Sequence, residues 1–463
     1  MTNAIDGLVS GLNTTALIDS QIQFDAIPQT LLKNKVSDSQ TLIAALQGLN
    51  TSVANLATLA TATAQPAALD LSLASSSSTA VSATATAGAS PGALDVVVNS
   101  LAQSQSGVSA PLTAWPANPA VLTIVGSTGT SIEITAASTS LDDVATAVNA
   151  AGAGVTATKV ASGIDPVTGA QQYRIQFTGN ATGAAGAFTV YQGSSADVAA
   201  GTATNVLTAA GAAVIRTAQD AQVTLWSGTA AQQAITSSTN SFADLLPGVA
   251  VTVSAVSASP VTVTVARNDA QISKMAGDLV TSLNGIFAQI STKTVVVNST
   301  NAKGAAVMSP GVFTGDSGIR DVNQNILTAA SQPVNGHSPS EIGISITKTG
   351  TLEYDGAKFA AALAQDPAGV KATLQVIASR VAAAATSASD KYTGQLTVRI
   401  TSQQSAVKDL SDQISEWDLR LASRRETLQS TYTALETQLS AMKSQSAWLT
   451  SQLSGLSASG TGA

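Results

Sequence analysis

The sequence predicts an α+β multidomain protein, with a discontinuous α-helical coiled-coil stalk formed by both termini and inserted β-rich head domains. Three patterns lead there. From Ile400 to Leu449 every seventh residue is large and apolar, in the series Ile400, Val407, Ile414, Leu421, Leu428, Leu435, Met442 and Leu449. With 44% of residues hydrophobic, eight hits in one chosen frame arise by chance about once in 700, or about once in 100 over seven frames, so the register is a real signal. The second pattern is a helical period near the start of the chain. The third is a switch to alternation in the long middle segment.

At the start, Asn13-Thr14-Thr15 offers a helix cap, followed by Leu17, Ile18 and Ile22, and Pro28 restarts the helix. Leu32, Leu42, Leu46, Leu49, Val53 and Leu56 then keep the three-four spacing of one helical face. The Ser75–Ser78 run reads as a linker. From about Ser75 to Arg267 period-two alternation dominates, as in Leu94-Val96-Val98, Ile132-Ile134, Ile175-Phe177, Val223-Leu225, Val249-Val251-Val253 and Val261-Val263-Val265. A helical island, Leu141 to Ala151, interrupts it. Beyond Arg267 helices return at Ile272–Ile290 and Ile319–Ile326. A small hairpin (Ile342–Ile344 with Leu352–Tyr354) and a helical turn closing at Pro367 precede the final helix. On that helix Leu410 and Trp417 lie three residues after a seam position, while Tyr432, Leu439 and Leu453 lie four after one. A sustained seven-residue repeat presents one seam to a partner helix.

Composition narrows the function. Only 11% of residues are charged and 3% aromatic, the net charge is −7, and no Lys or Arg occurs between Lys35 and Lys159. Nucleic-acid binding needs clustered cations, so it is not expected. The absence of cysteine removes disulfides, thiolate catalysis and Cys-based metal sites. It suits a chain threaded outward unfolded, and equally reflects compositional drift. The first positive charge is Lys33, so no cleavable secretory signal fits. No uninterrupted apolar run approaches the ~18 residues a membrane span requires, so no membrane insertion is expected.

Several segments together resemble the bacterial flagellar filament-capping family (FliD, hook-associated protein 2). They are Gly7-Leu8-Val9-Ser10-Gly11-Leu12-Asn13-Thr14, Thr314-Gly315-Asp316-Ser317-Gly318-Ile319-Arg320, and Ile342-Gly343-Ile344-Ser345 running through Gly350-Thr351-Leu352 to Leu363-Ala364-Gln365-Asp366-Pro367. Asp412-Gln413-Ile414-Ser415-Glu416-Trp417 and the Leu428-Tyr432-Leu435-Glu436 stretch are similar to that family's terminal coil. Ser140-Leu141-Asp142-Asp143-Val144 through Gly152 resembles a motif shared by flagellar hook and filament proteins. The resemblance implies a secreted homo-oligomeric plate, a pentamer or similar small ring, at the growing filament tip. Its legs would insert between flagellin strands. Export would run through the flagellar channel without a cleaved signal peptide, with a chaperone on the C-terminal helix. The very Ala/Thr/Ser-rich head departs from better-known members.

The expected parts are a coiled-coil leg (1–40 and 410–463), a helical stalk domain (41–75 and 267–409), a β-rich head (76–110 and 212–266) and an inserted outer head (111–211). The expected assembly seam comprises Leu42, Leu46, Leu49, Val53 and Leu56, together with Ile400, Val407, Ile414, Trp417, Leu421, Leu428, Leu435, Leu439, Met442 and Leu449. Trp417 reads equally as seam packing or as a partner anchor, and Trp448, just off the seam, as a chaperone contact. Arg424-Arg425, beside Glu426, read as a solvated charged face, with fixing the register or marking a hinge as the alternatives. Asp6, Asp19, Asp25 and Asp142-Asp143 read as helix-start charges or solubility groups. His337, the single histidine, reads as a solvated loop residue. No HExxH and no phosphate-binding glycine loop occurs; Gly152-Ala153-Gly154 lacks the rest of a nucleotide fingerprint. No catalytic residue, metal or cofactor is expected. Two other readings are a hook–filament junction or flagellin-like subunit, and a surface adhesin or carbohydrate-active enzyme. For the last, Trp115, Tyr173, Tyr191 and Trp226 are too scattered to form a binding face.

Overall fold

The α+β architecture is seen in the computed structural model, which describes residues 10–300 and 304–459, without the side chains of 455–459. Asp6, read as a helix-start or solubility charge, and Gly7, Leu8 and Val9 of the resemblance lie outside the described residues. Nine helices are described: α1 (Thr14–Asp25), α2 (Ile27–Ala64), α3 (Leu141–Ala150), α4 (Ser195–Ala200), α5 (Asp269–Thr294), α6 (Ser317–Ser331), α7 (Gly356–Gln365), α8 (Pro367–Ser389) and α9 (Gln395–Ser459). The chain divides into a helical unit, residues 1–66 and 273–463, and a β-rich unit, residues 67–272.

All strand pairs of the β-rich unit are antiparallel. A five-stranded sheet runs in the order 72–76, 261–267, 92–100, 221–225, 233–237 and a three-stranded sheet in the order 241–246, 249–253, 81–85. Their alternate residues, among them Val96, Val98, Val223, Val251 and Val263, form one apolar core. A second core is inserted into the chain between them, from two four-stranded sheets and α3; it buries Leu122, Ile124, Val144, Val148, Ile175 and Phe177. Gln103 and Gln219 mark the crossing into and out of that insertion, each donating its backbone N–H to the other's carbonyl at 2.8 and 3.1 Å. Val, Ile and Thr on every second position suit strands with one buried face.

The helical unit is organised by α2. Leu46, Leu49, Val53, Leu56 and Ala60 have no exposed surface and pack on α8 and α9. The facing row of α8 is Leu374, Ile377, Ala378, Val381, Ala382 and Ala385, small enough to let helices approach closely. An 18-residue window of α2 has mean hydropathy 1.2, sufficient by length and composition to cross a membrane. Here the same Leu/Val row is the inside of a helix bundle.

One local reading is corrected and one is extended. Ser75 and Ser76 are not linker; they end the strand Ser72–Ser76, paired with 263–267, and only then does the chain turn. Serine fits that edge strand because the partner strand supplies the buried valines. The helical stretch does close before Pro367, α7 ending at Gln365, but Pro367 also opens α8, with Asp366 capping it through Gly369 N at 2.9 Å. Proline is at home in a first turn, whose N–H groups have no helical partner.

Candidate functional site

Where the chain's two ends meet, α1 and the start of α2 run antiparallel to α9. Asn13 begins this arrangement by capping α1, accepting from Ala16 N at 2.8 Å. A ladder of polar contacts then fixes the register. Ser10 donates from its backbone and hydroxyl to Glu436, which is 4% exposed. Arg425 pairs with Asp19 at 2.7 Å and Arg424 with Asp25 at 3.4 Å. Gln29, itself buried, donates to Asp418 at 2.5 Å and to the Ile414 carbonyl at 3.3 Å. As residue numbers rise on one helix they fall on the other, so a slip by one turn breaks all four rungs.

These pairings favour the register-fixing alternative for Arg425, which is half-buried, while Arg424 keeps the exposed side chain read for it, 52% accessible beside Asp25. Each arginine meets an aspartate about 400 residues away in the chain. Farther out on α9, Lys408 is held above the usual lysine range by its hydrogen bond to Asp412, one turn on at 3.1 Å.

The apolar rows sort into two sets. On α9 from Ile400 to Leu439, the residues not fully exposed are Ile400, Gln403, Ala406, Val407, Leu410, Ile414, Trp417, Leu421, Arg425, Leu428, Tyr432, Glu436 and Leu439. Up to Leu428 this row contains every heptad position. Alongside it, Ile414, Arg425 and Glu436 are spaced by eleven residues. An undistorted α-helix rotates a seven-residue row by ~20° per repeat, whereas mixing sevens with elevens keeps the row on one face. Ile400 to Glu436 spans about ten turns. The strict heptad drifts out instead: Leu435, Met442 and Leu449 are exposed, as are Trp448 and Leu453. On α1 and α2 a matching outer row appears at Leu17, Phe24 and Leu31, with Ile27 beside it. Of the expected seam, Leu46, Leu49, Val53 and Leu56 lie within the chain's own bundle, with Leu42 half-buried. Trp417 is half-buried with the Arg420 guanidinium over its ring at 5.4 Å.

Sequence reasoning missed one more feature. Asp316, in the Thr314–Arg320 motif, caps α6 through Ile319 N at 3.2 Å and pairs with Arg399 of α9 at 2.6 Å. Its carboxylate side chain is 7% exposed. The signal was the Gly315-Asp316 turn itself, since Gly315 takes φ 78° and aims the aspartate. His337 is exposed and contacts Glu341 at 2.9 Å, which holds that carboxyl below its usual range. Among the described residues no group of three or more His, Asp or Glu could hold a metal ion.

Terminal helices zipped to each other, with β-rich domains inserted in the chain between them and further apolar rows exposed, define a structural assembly subunit. Comparison with known proteins supplies the family. Residues 10–105 match the flagellar hook-associated protein 2 N-terminus, residues 218–444 match its C-terminus, and residues 121–181 match the flagellin hook IN motif. The chain belongs to the flagellar hook-associated protein 2 family. It is 27% identical over 225 residues to the B-type flagellar hook-associated protein 2 of Pseudomonas aeruginosa, a match spanning 47% of either chain. It is 26% identical over 390 residues to the flagellar hook-associated protein 2 of Escherichia coli O157:H7, spanning 80% of this chain and 79% of that one. The crystal structure of the D1-D2-D3 domains of the Escherichia coli flagellar cap protein has the same fold, with a TM-score of 0.53 at 22% identity, over 77% of this chain and 99% of that one.

Proposed function

We propose that this chain is a flagellar filament cap, a homo-oligomeric plate at the distal tip that guides insertion of exported flagellin subunits and prevents their loss. The observation that carries the reading is the zipped terminal pair with its second, outward apolar rows. Leu17-Phe24-Leu31 and Leu435-Met442-Leu449 each keep heptad spacing on the solvent side, which is the form a helix takes when it awaits another helix. Few charges lie along these rows, so contacts with flagellin ends are weak enough to be exchanged as each subunit arrives.

In this reading residues 1–40 and 410–463 are the leg, 41–75 and 267–409 the stalk domain, 76–110 with 212–266 the inner head, and 111–211 the outer head. The ring is small, a pentamer or near it. The protein works outside the cell, leaves through the flagellar export channel without a cleaved signal peptide, and meets its export chaperone around Trp448. It binds no cofactor and catalyses no reaction. Gold-tagged antibody on intact flagella, viewed by electron microscopy, tests this. Label confined to the distal tip is expected; label at the hook junction, or on the cell surface away from flagella, contradicts it.

A further inference from the structure

The β-rich unit holds two apolar cores, and no buried residue belongs to both. One lies in a base, formed by the five- and three-stranded sheets; the other lies in the insert, formed by the two four-stranded sheets and α3. The chain passes from base to insert at Gln103 and back at Gln219. Bodies with separate cores on such a crossing ordinarily move relative to each other, unless a large apolar interface holds them.

A third connection spans the joint without being part of the crossing. After the strand Gln171–Gly179 the insert sends a turn, residues 180–186, onto the base. The Thr182 hydroxyl donates to the Ser238 carbonyl at 2.7 Å. The Gly183 N–H donates to the Gln103 carbonyl at 3.2 Å, and the Ala184 N–H to the Asp220 carboxylate at 2.7 Å. Asp220 and Ser238 lie one step beyond the Ala221–Ser237 pair, so the turn crosses the end of that hairpin. It is held from its own side as well, because the Ser127 hydroxyl donates to the Ala185 carbonyl at 2.7 Å.

Gly183 is the tightest point. Its φ of 88° and ψ of 160° fall in a region that is essentially glycine's alone. A Cβ at this position would lie 2.6 Å from the Ser238 Cα and 2.7 Å from the Ser238 carbonyl oxygen. Both are backbone atoms, which cannot rotate aside as a side chain can.

We propose that the 180–184 turn is a strap that locks the insert to the base, so that the two move as one rigid body, and that Gly183 sets the angle between them. Ser238 stands outside the crossing, so its bond to Thr182 opposes rotation about the line from Gln103 to Gln219. Any side chain at position 183 must lift the strap or tilt the insert. The lock is a property of the single chain, whatever that chain assembles with.

The chain contains no cysteine, so introduced thiols carry spin labels at chosen sites alone. Ala150→Cys on α3 of the insert and Thr264→Cys on a strand of the base, both exposed, would be labelled in the full chain and their separation read by pulsed dipolar EPR. One narrow distance is expected with the strap intact. That narrow distance should be lost, by shift or broadening, in Gly183→Val and in the double variant Thr182→Val, Asp220→Ala. The double variant leaves the glycine in place and decides the matter where Gly183→Val does not fold. Gly129→Ala, at a turn of the insert with φ 82° and open space around it, should leave the distance unchanged. A broad distribution with the strap intact overturns the lock. An unchanged narrow distance in the double variant overturns the strap, and a shift in Gly129→Ala as large as in Gly183→Val overturns the role given to Gly183.

Discussion

In the β-rich unit Ile175, Phe177, Val223 and Val263 leave no accessible surface, whereas on the terminal helices Phe24, Met442, Trp448 and Leu449 stand in solvent. The sequence gives both regions regular apolar periods, two in the strands and seven in the helices. In the sheets each period finds its complement within the chain, because a second sheet or α3 covers it. In the terminal pair one row is met by the other helix and the second row is met by nothing among the described residues. The lesson is that the same periodic signal marks a finished core in one place and an unfinished one in the other.

The largest effect should come from the finished core. Ile175→Ala should cost about 2–5 kcal/mol through the cavity it leaves, seen as a lower denaturant midpoint, while the helical contribution to circular dichroism stays. In the helical unit, Arg399→Ala leaves the Asp316 carboxylate inside without its cation. A fully buried pair would lose about 3–5 kcal/mol. Because the arginine side chain is 41% exposed, about 2 kcal/mol is expected, measured by urea unfolding. Leu428→Asp and Leu435→Asp sharpen the contrast within one helix. The first sits in the half-buried inner row and should destabilise the isolated chain by about 1–3 kcal/mol; the second is exposed and should change it by less than about 0.5 kcal/mol. Both should impair filament capping in a motility assay. Equal destabilisation by the two would refute the division into inner and outer rows.

A smaller effect is expected of the ladder. A double-mutant cycle on Asp19 and Arg425, both partly exposed, should give a coupling of about 0.2–1 kcal/mol that falls with added salt. Acid provides the last test. Hydrogen bonds from Ser194 hold the Asp197 carboxyl low, and backbone N–H groups of Thr168 and Val167 do the same for Asp165. A depressed folded pKa means that stability is present above the ordinary carboxylate range and lost as pH falls through the folded value. The α4 cap and the 165–170 turn should therefore loosen below about pH 4, read by NMR shifts at Gly201 and Gly169. No change down to strongly acid pH would contradict these hydrogen bonds.

Much of this was legible in the residues. Alternation located the strands because each has one buried face, and the heptad located α9. The α8 helix went unread although Val370, Leu374, Ile377 and Val381 keep three-four spacing, because the alanines that complete its buried row, Ala378, Ala382, Ala385 and Ala388, do not stand out from an alanine-rich background. The heptad was read as a single continuous seam because a sequence does not reveal supercoil. The strict heptad row turns outward past Leu428, with Leu435, Met442 and Leu449 exposed. The Arg424 and Arg425 pairings were hidden by the separation of their partners in the chain, and the Asp316–Arg399 pair by the same distance problem.

Amide hydrogen exchange on the isolated chain and on its assembled oligomer tests the central claim most directly. The account predicts a step along α9 in the isolated chain, with slow exchange from Ile400 to about Leu439 and fast exchange from Met442 to Leu453. The fast segment should become protected on assembly with flagellin. Uniform protection through Leu453 before assembly, or no gain after it, would contradict the claim that the outer rows await a partner.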